Sequence, residues 1–482
     1  MTSVRPLVCD LDGTLILADT TYELCIQHIK RHPFVGWLQL LKWFSVSKSQ
    51  AKSRLAIQYA EEIDPVTLPY TDLLAHEVVA SYSDRSLVSG SHVTLVQKIS
   101  DHVGGFSLIQ GADGGVNLIG QTKANYLLQI YPNGFDYVGD SRADIPVWQA
   151  AQIAYAFNAS SSTLKAANAA GVVPTVLSRK KAPWQPLLKG MRLHQWSKNA
   201  LLAVLPLLSL SHAEASWILL ILIGFLAFGL VASGTYLLND LLDIQADRAH
   251  PTKSARAFAS GALSIPSGIK AIVALATIGF MLALAIGESF TSMLLIYVVI
   301  SVLYSFHLKS IAIFDVIVLS LLFCWRILSG SELVELDVNT WLMLSMGFFF
   351  LSLALGKRAI ELTKLPDDAL QTHAAVNGRD YYAKDLPVVI SAGVASGFAT
   401  IVIVLIYALL SGTTIIEREI SAVLIIIILT FWQMRFWLLV VRKQVNHDPV
   451  VFALKDRMSL SLFVLLTSLL IFEQIVPLSG AL

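Results

Sequence analysis

From residue 198 onward the chain alternates long apolar runs with short polar connections. Nine runs can be marked, near 198–212, 217–238, 268–286, 290–307, 311–330, 339–356, 386–411, 419–441 and 459–478. Most approach the ~20 apolar residues that a helix needs to cross a hydrocarbon core, and the first is short. Before about residue 180 the pattern differs. Short apolar runs at Arg5–Cys9, Ser86–Ser89, Phe135–Val138 and Ile153–Phe157 alternate with helical periodicity. That alternation predicts a parallel sheet flanked by helices. Residues 18–83 interrupt it after the first strand, and their helical pattern predicts a cap over the sheet's C-terminal edge. The expected organisation is multidomain: an α/β domain over 1–180, a linker or interfacial segment over 181–197, and an all-α nine-span bundle over 198–482.

Composition supports a membrane protein. The hydrophobic share is 55% and the mean hydropathy +0.64, above what a soluble enzyme needs. A net charge of +1 argues against nucleic acid as a partner. Cys9, Cys25 and Cys324 lie far apart, with neither metal-ligand spacing nor a disulfide framework. Asp10 and Asp12 interrupt the one apolar stretch near the N-terminus, so no signal segment is expected there.

The connections set an orientation. Arg248, Lys253 and Arg256 follow the second run, and Lys309 the fourth. Lys357, Arg358, Lys364, Arg379 and Lys384 follow the sixth, and Arg442, Lys443, Lys455 and Arg457 the eighth. The alternate connections are nearly bare, Ser411–Ile420 carrying only Arg418. Positive loops stay inside. The expectation is a multi-pass protein of the inner, or cytoplasmic, membrane, with its N-terminal domain and its sites in the cytoplasm and its C-terminus outside.

The second run ends in Asn239-Asp240-Leu241-Leu242-Asp243-Ile244-Gln245-Ala246-Asp247. On one continuous helix, Asp240, Asp243 and Asp247 fall within roughly 60° of one another. Acidic groups at membrane depth are rare and line polar cavities. Mg²⁺ shared with a substrate's phosphates is their natural neutraliser. This segment and the basic loop through Arg256 resemble the first signature of the UbiA superfamily of intramembrane prenyltransferases. The resemblance runs over about residues 190–480. It implies that Asn239, Asp240, Asp243 and Asp247 bind Mg²⁺ and a diphosphate. The second acidic set of aromatic prenyltransferases is not evident after the sixth run. That position reads Gly356-Lys357-Arg358-Ala359-Ile360-Glu361, although Asp367, Asp368, Asp380 and Asp385 lie nearby.

Three further segments narrow the likeness. Met191–Asn199 precedes the first run, Leu308-Lys309-Ser310 with Asp315 opens the fifth, and Asp448–Arg457 precedes the ninth. Together they are similar to decaprenyl-phosphate phosphoribosyltransferases, which place phosphoribose from phosphoribosyl pyrophosphate on a polyprenyl phosphate that feeds cell-wall biosynthesis. Under that likeness Asp240, Asp243 and Asp247 are catalytic through Mg²⁺ on the leaving pyrophosphate. Lys198, Lys253, Arg256, Lys309, Lys357 and Arg358 contact substrate phosphates, and Asp315 lines the cavity. The plain alternative for each basic residue is topology alone, and Arg326 is expected to snorkel.

The α/β region carries Val8-Cys9-Asp10-Leu11-Asp12-Gly13-Thr14 after a short strand. Leu87-Val88-Ser89-Gly90-Ser91, Lys123 and Gly139-Asp140-Ser141-Arg142-Ala143-Asp144 follow in order. These four marks resemble the haloacid dehalogenase (HAD) phosphatases, a Rossmann-like fold with a helical cap. The resemblance implies that Asp10 attacks phosphorus and Asp12 is the general acid and base. Ser89, with Ser91 as the alternative, and Lys123 would stabilise the transferring group. A second Mg²⁺ would sit among Asp10, Asp12 through its carbonyl, Asp140 and Asp144. The expectation is a bifunctional enzyme that makes a polyprenyl-phosphoryl 5-phosphoribose and then removes a phosphate. The alternative is a prenyltransferase using a prenyl diphosphate, with a regulatory or non-catalytic HAD module. The expected partners are the bilayer, the polyprenyl phosphate and the diphosphate donor; an oligomer is compatible with the sequence.

Overall fold

A computed structural model describes residues 5–113, 115–180, 182–209, 214–365, 379–410, 419–445 and 448–475. The chain forms two compact units. One joins the residues up to Met191 with Tyr236–Ile272, and the other joins Arg192–Thr235 with Val273–Leu482. The aspartate segment thus packs with the α/β region that precedes it by sequence, an arrangement the hydrophobic pattern does not disclose.

In the first unit six parallel strands stand in the order β3-β2-β1-β4-β5-β6. They are β1 (Leu7–Cys9), β2 (Arg85–His92), β3 (Leu108–Ala112), β4 (Asp136–Gly139), β5 (Ala154–Ala156) and β6 (Thr175–Val176). Leu7, Val8 and Cys9 are wholly buried, as befits a strand covered on both faces. β1 lies between β2 and β4, paired through Val8 with Ser86 and Tyr137. The strand order reverses beside β1, and the crevice beyond the carboxyl ends there is where open α/β sheets bind ligands. β3 and β6 were not expected. β3, Leu108-Ile109-Gln110-Gly111-Ala112, begins with two adjacent apolar residues followed by Gln and Gly, and β6 is two exposed residues, so neither carries the apolar alternation that marks a strand.

The region between β1 and β2 is helical, as expected: α1 (Thr20–Arg31), α2 (Gly36–Val46) and α3 (Lys48–Tyr59). Asp19 caps α1 by accepting from the Tyr22 N–H, and Ser47 caps α3 through Gln50. Leu24, Leu40, Leu55 and Tyr59 share one core with Leu7, Leu11 and Leu15. The cap is thereby fixed to the loop that carries Asp10 and Asp12.

Among the described residues seven helices are long and apolar enough to cross a membrane: Ala215–Leu242, Ile265–Ile286, Glu288–Phe306, Phe314–Glu332, Thr340–Leu362, Ala383–Ala408 and Ile420–Val441. Two of the nine expected runs stand apart, and both reach into residues outside those described. The first is a 3₁₀ stretch, Leu193–Ala203, followed by the five-residue helix Val204–Leu208; Lys198, Asn199 and Pro206 interrupt its apolar character. The last is a helix over Arg457–Ile475, apolar through Phe472.

The second unit packs by close backbone approach and small polar hubs. A Cβ on Gly356 would lie 2.6 Å from the Phe436 ring, and one on Gly393 only 2.1 Å from Trp437. The Ser352 hydroxyl donates to the Gly393 carbonyl at 2.7 Å and accepts from Gln433 and Trp437 at 2.8 and 3.0 Å. Arg326 does not snorkel. It is 4% exposed, donates to Tyr297 at 2.7 Å, and lies 4.8–5.7 Å from the rings of Tyr297, Phe228 and Phe323. Stacking on aromatic faces retains a guanidinium in the interior at lower desolvation cost than reaching for water along an apolar helix.

Candidate functional sites

The first site lies at the carboxyl ends of β1 and β4. Asp10 follows β1 and Asp140 follows β4, and Lys123 reaches between the strands from the helix Gln121–Ile130. The buried Lys123 ammonium donates to Asp10 Oδ1 at 2.8 Å and to the Tyr137 hydroxyl at 2.8 Å. Tyr137 in turn donates to Asp144 Oδ1 at 2.6 Å. Asp144 Oδ2 accepts from the Asp140 N–H, the Ser141 N–H and the Ser141 hydroxyl. Asp144 therefore orients the loop, and Asp10 and Asp140 keep oxygens turned to the cleft. Carboxylate oxygens of Asp10, Asp140 and Asp144 lie within 4.8 Å of one another. An all-oxygen set of that size fits a hard divalent cation.

Asp12 faces another way. Its carboxylate accepts from the Thr20 N–H at 2.9 Å and from the Ser91 hydroxyl, while Ser91 and Thr20 hydroxyls lie 2.6 Å apart. Its side chain is thus no member of the acidic cluster. Ser89 lines the cleft, and its hydroxyl accepts from the Ser91 N–H at 3.1 Å. Gly13, at φ +81°, lies so close to Asp140 that a Cβ would sit 2.4 Å from its Oδ2; only glycine leaves that carboxylate its place. Lys52, a cap residue of α3 not singled out by any motif, donates to the Gly90 carbonyl at 2.6 Å and lines the same cleft.

Burial raises the proton affinity of four carboxyl groups here, Asp10, Asp12, Asp19 and Asp140. Asp10 is pushed up to about 6, with Lys123 opposing, and Asp19 to about 7 by burial and the Asp12 charge. Asp12 is raised by burial against the hydrogen bond from Ser91, and Asp140 well above the usual range by burial and Asp144. Desolvation lowers Lys52. A crowd of buried carboxyl groups that outnumbers the amines close by, Lys52 and Lys123 among them, is a place prepared for added positive charge, and such clusters mark functional sites.

The second acidic set also belongs to the first unit. The long helix ends at Leu242 and a short one resumes at Ile244, so the expected single helix breaks at Asp243. Asp243 N–H still donates to the Asn239 carbonyl at 3.0 Å and Asp247 N–H to Asp243 at 2.8 Å, which carries the register across the break. Asp240 and Asp247, each 3% exposed, converge on one nitrogen. Arg256 Nη1 donates to Asp240 at 3.0 Å and to Asp247 at 3.0 and 2.8 Å. Two buried carboxylates thus share a single cationic position. Arg256, expected to face a phosphate, stands between the carboxylates instead. Lys30 of α1 lies 3.6 Å from Asp243. Asn239 is half-buried on the long helix, and Lys253 opens the 3₁₀ turn Lys253–Ala255.

Arg248, read in the sequence only as a loop charge, is the residue that seats this segment. Its two Nη atoms donate to Glu23 of α1 at 2.8 and 2.6 Å, and its Nε to the Ala259 carbonyl at 3.0 Å.

In the second unit the expected residues divide into two groups. Lys198 and Lys357 share Asp448, at 3.7 and 3.2 Å, and Asp448 also caps the helix Pro449–Lys455. The two lysines pull the Asp448 carboxyl below its usual range against burial. Asp315 and Arg358, by contrast, are wholly buried and joined at 2.6 Å. Arg379 and Tyr381 also donate to Asp315, at 3.0 and 2.7 Å, and Arg358 pairs with Glu361. Arg358 is held inside the bundle by that network, where the sequence expectation had it reaching for phosphate. Lys309 lies half-buried in the 3₁₀ turn Leu308–Ser310. Asp385 caps its own turn by accepting from Tyr382, and Asp367 and Asp368 lie outside the described residues. Asp448, Arg379 and Tyr381 were not singled out as site residues; each gains its place from a partner more than sixty residues away, which no local pattern signals.

Comparison with known proteins gives these features a family. Residues 200–463 match the UbiA prenyltransferase family. The protein y4nM of Sinorhizobium fredii, itself uncharacterised, is 35% identical over 460 residues, covering 94% of this chain and 88% of that one. The nodulation protein NoeC of Azorhizobium caulinodans is 31% identical over 281 residues, 58% of this chain and 90% of that one. A decaprenyl-phosphate phosphoribosyltransferase of Mycolicibacterium smegmatis is 31% identical over 180 residues, 36% of this chain and 57% of that one. With its apolar helices and the acidic set that closes one of them, the chain belongs to the UbiA prenyltransferase family and is a multi-pass membrane transferase.

Proposed function

We propose that this protein transfers 5-phosphoribose from phosphoribosyl pyrophosphate to a polyprenyl phosphate, and that its α/β domain then removes the 5-phosphate. One observation carries the transferase half: Asp240 and Asp247, buried at the end of an apolar helix, converge on one cationic position. Mg²⁺ held there by Asp240, Asp243 and Asp247 supplies charge neutralisation for the departing pyrophosphate. The lipid phosphate is already an anion, so no protein nucleophile is needed. Positioning and charge account for most of the rate. Asn239 and Lys253 meet the donor, Arg256 stays paired with Asp240 and Asp247 until the metal replaces it, and Lys198 and Lys357, gathered on Asp448, grip phosphate oxygens. Lys309, at the opening of its helix, stays with them as a further contact. The basic connections support a cytoplasmic side for these groups, within a nine-span topology whose first member is short. The relatives from mycobacteria support the choice of phosphoribosyl over prenyl transfer.

The phosphatase half rests on the HAD-like arrangement at β1 and β4. Asp10 attacks phosphorus and the bond to the leaving oxygen breaks, while Asp12 gives that oxygen a proton. Water then attacks the aspartyl phosphate, Asp12 takes its proton, and phosphate leaves. Lys123 and Ser89 hold the transferring oxygens, and Asp10 and Asp140 hold the Mg²⁺, with Asp144 orienting their loop. Incubation of purified protein with phosphoribosyl pyrophosphate, Mg²⁺ and decaprenyl phosphate tests the proposal. Failure to form a lipid-linked pentose beside an active control enzyme rejects the transferase half. Asp10→Asn should make the phosphorylated lipid accumulate; unchanged processing rejects the other. The family match favours one alternative, prenyl transfer from a prenyl diphosphate, which turnover of that diphosphate would reveal.

A further inference from the structure

The cleft in front of Asp10 is not enclosed by the sheet and its cap alone. Its 1210 Å³ are lined on one side by Asp10, Lys123 and Asp140, and on another by Arg248, Phe258 and residues 261–267. That second wall is the chain that follows the aspartates of the membrane helix. Its seat is specific. Glu23 and Arg248, 1% and 7% exposed, form the two-fold hydrogen-bonded pair described above. Gly261 stands at φ +71°, where a Cβ would lie 2.4 Å from the Leu17 side chain and 2.6 Å from its carbonyl oxygen. A side chain at that position would push the wall off the loop that follows Asp12. α1 joins both ends of the cleft: its first N–H binds Asp12, and Glu23, one turn on, holds Arg248.

Polarity changes along the cleft. Its floor is a set of carboxylates and Lys123. Apart from Arg248, whose charge is paired with Glu23, the wall runs Gly261-Ala262-Leu263-Ser264-Ile265-Pro266-Ser267 without a charge and opens the apolar helix Ile265–Ile286. A water-soluble phosphomonoester needs the charged floor and the cap only. An uncharged wall continuous with a membrane helix suits a molecule whose phosphate enters the floor while its other end stays in lipid. We propose that the Asp10 site acts on a phosphomonoester carried by a membrane-anchored lipid, with residues 261–267 as the surface that selects it. Arg248 is a positioning residue that holds this wall through Glu23. The inference rests on the phosphatase reading of Asp10.

The test uses the full-length protein in detergent micelles. Its substrates are farnesyl-phosphoryl ribose 5-phosphate, free ribose 5-phosphate and p-nitrophenyl phosphate. Ala262 is exposed and lines the cleft, so Ala262→Trp narrows the wall without disturbing a core. The wild type should prefer the farnesyl substrate over free ribose 5-phosphate by at least about tenfold in kcat/KM, since a chain held in the protein's own micelle raises the effective concentration of its phosphate at the cleft. Ala262→Trp should erase most of that preference while p-nitrophenyl phosphate turnover stays within about twofold, and Ala262→Ser should retain it. No preference in the wild type, or an equal change on all substrates, overturns the inference and leaves the phosphatase reading standing. Absence of p-nitrophenyl phosphate turnover sensitive to Asp10→Asn overturns the phosphatase reading itself, and the inference with it.

Discussion

Glu23→Gln isolates the contact that seats the aspartate segment. Glu23 and Arg248 side chains are 1% and 3% exposed and meet through two bonds of 2.6 and 2.8 Å. Glutamine keeps one acceptor but turns an amide N–H₂ toward the other guanidinium nitrogen. One charge-assisted bond is lost, about 1.5–3 kcal/mol, and a buried cation is left without its counter-charge. Together these place the cost at about 3–5 kcal/mol. If that cost falls on local opening, the opening constant rises by roughly 10²–10⁴. Hydrogen exchange read by mass spectrometry reports it. The Gly261 and Leu263 amides, bonded to the Phe258 and Ala257 carbonyls, should exchange faster by up to that factor. Removing both partners, as Glu23→Met with Arg248→Leu, should cost less than Glu23→Gln alone, because no charge is then stranded. Exchange in Glu23→Gln within about threefold of the wild type would refute the reasoning, as would a double variant worse than the sum of its parts.

Arg358→Leu removes one of two cations bonded to Asp315 among the described residues, leaving Arg379 and Tyr381, and should lower stability by about 1.5–3 kcal/mol, with the thermal midpoint in detergent as the readout. Lys123→Met removes the only cation bonded to Asp10 among the described residues; p-nitrophenyl phosphate turnover should fall by about 10²–10³ with the fold intact by circular dichroism. Asp456 accepts two bonds from Arg435 and caps the last helix through Ser459, so Asp456→Ala should cost about 1–2 kcal/mol. Its carboxyl is held down to about 2 by Arg435, so that contribution is complete above the ordinary carboxyl range and disappears as pH falls through about 2. An acid titration of the thermal midpoint, wild type against Asp456→Ala, measures the difference.

Much of this architecture is legible in the sequence because its signals are local. A twenty-residue apolar run, a strand before Asp10, and a glycine-aspartate turn at Gly139-Asp140 each announce themselves within a few residues. Seven of the membrane runs and four of the six strands were read this way. What the sequence withheld is pairing at long range. Arg248 looks like any charge in a positive loop until Glu23 appears beside it, 225 residues earlier in the chain. Arg358 looks like a phosphate ligand until Asp315 claims it. Arg326 looks like a residue that reaches for water until three aromatic rings enclose it. The break at Asp243 is invisible for another reason: the hydrogen bonds of the helix continue across it, so periodicity is unchanged.

The clasp between Glu23 and Arg248 also sets a timetable for biogenesis. A ribosome adding about 5–20 residues per second takes roughly 10–45 s to travel from one to the other, a gap of 225 positions. For that interval the nascent α/β domain holds a carboxylate whose counter-ion has not been made, and whose arrival depends on the insertion machinery placing a hydrophobic segment first. Maturation of the α/β domain is therefore gated by translocon events, and a gene fragment ending before that arginine should yield a product that recruits chaperones.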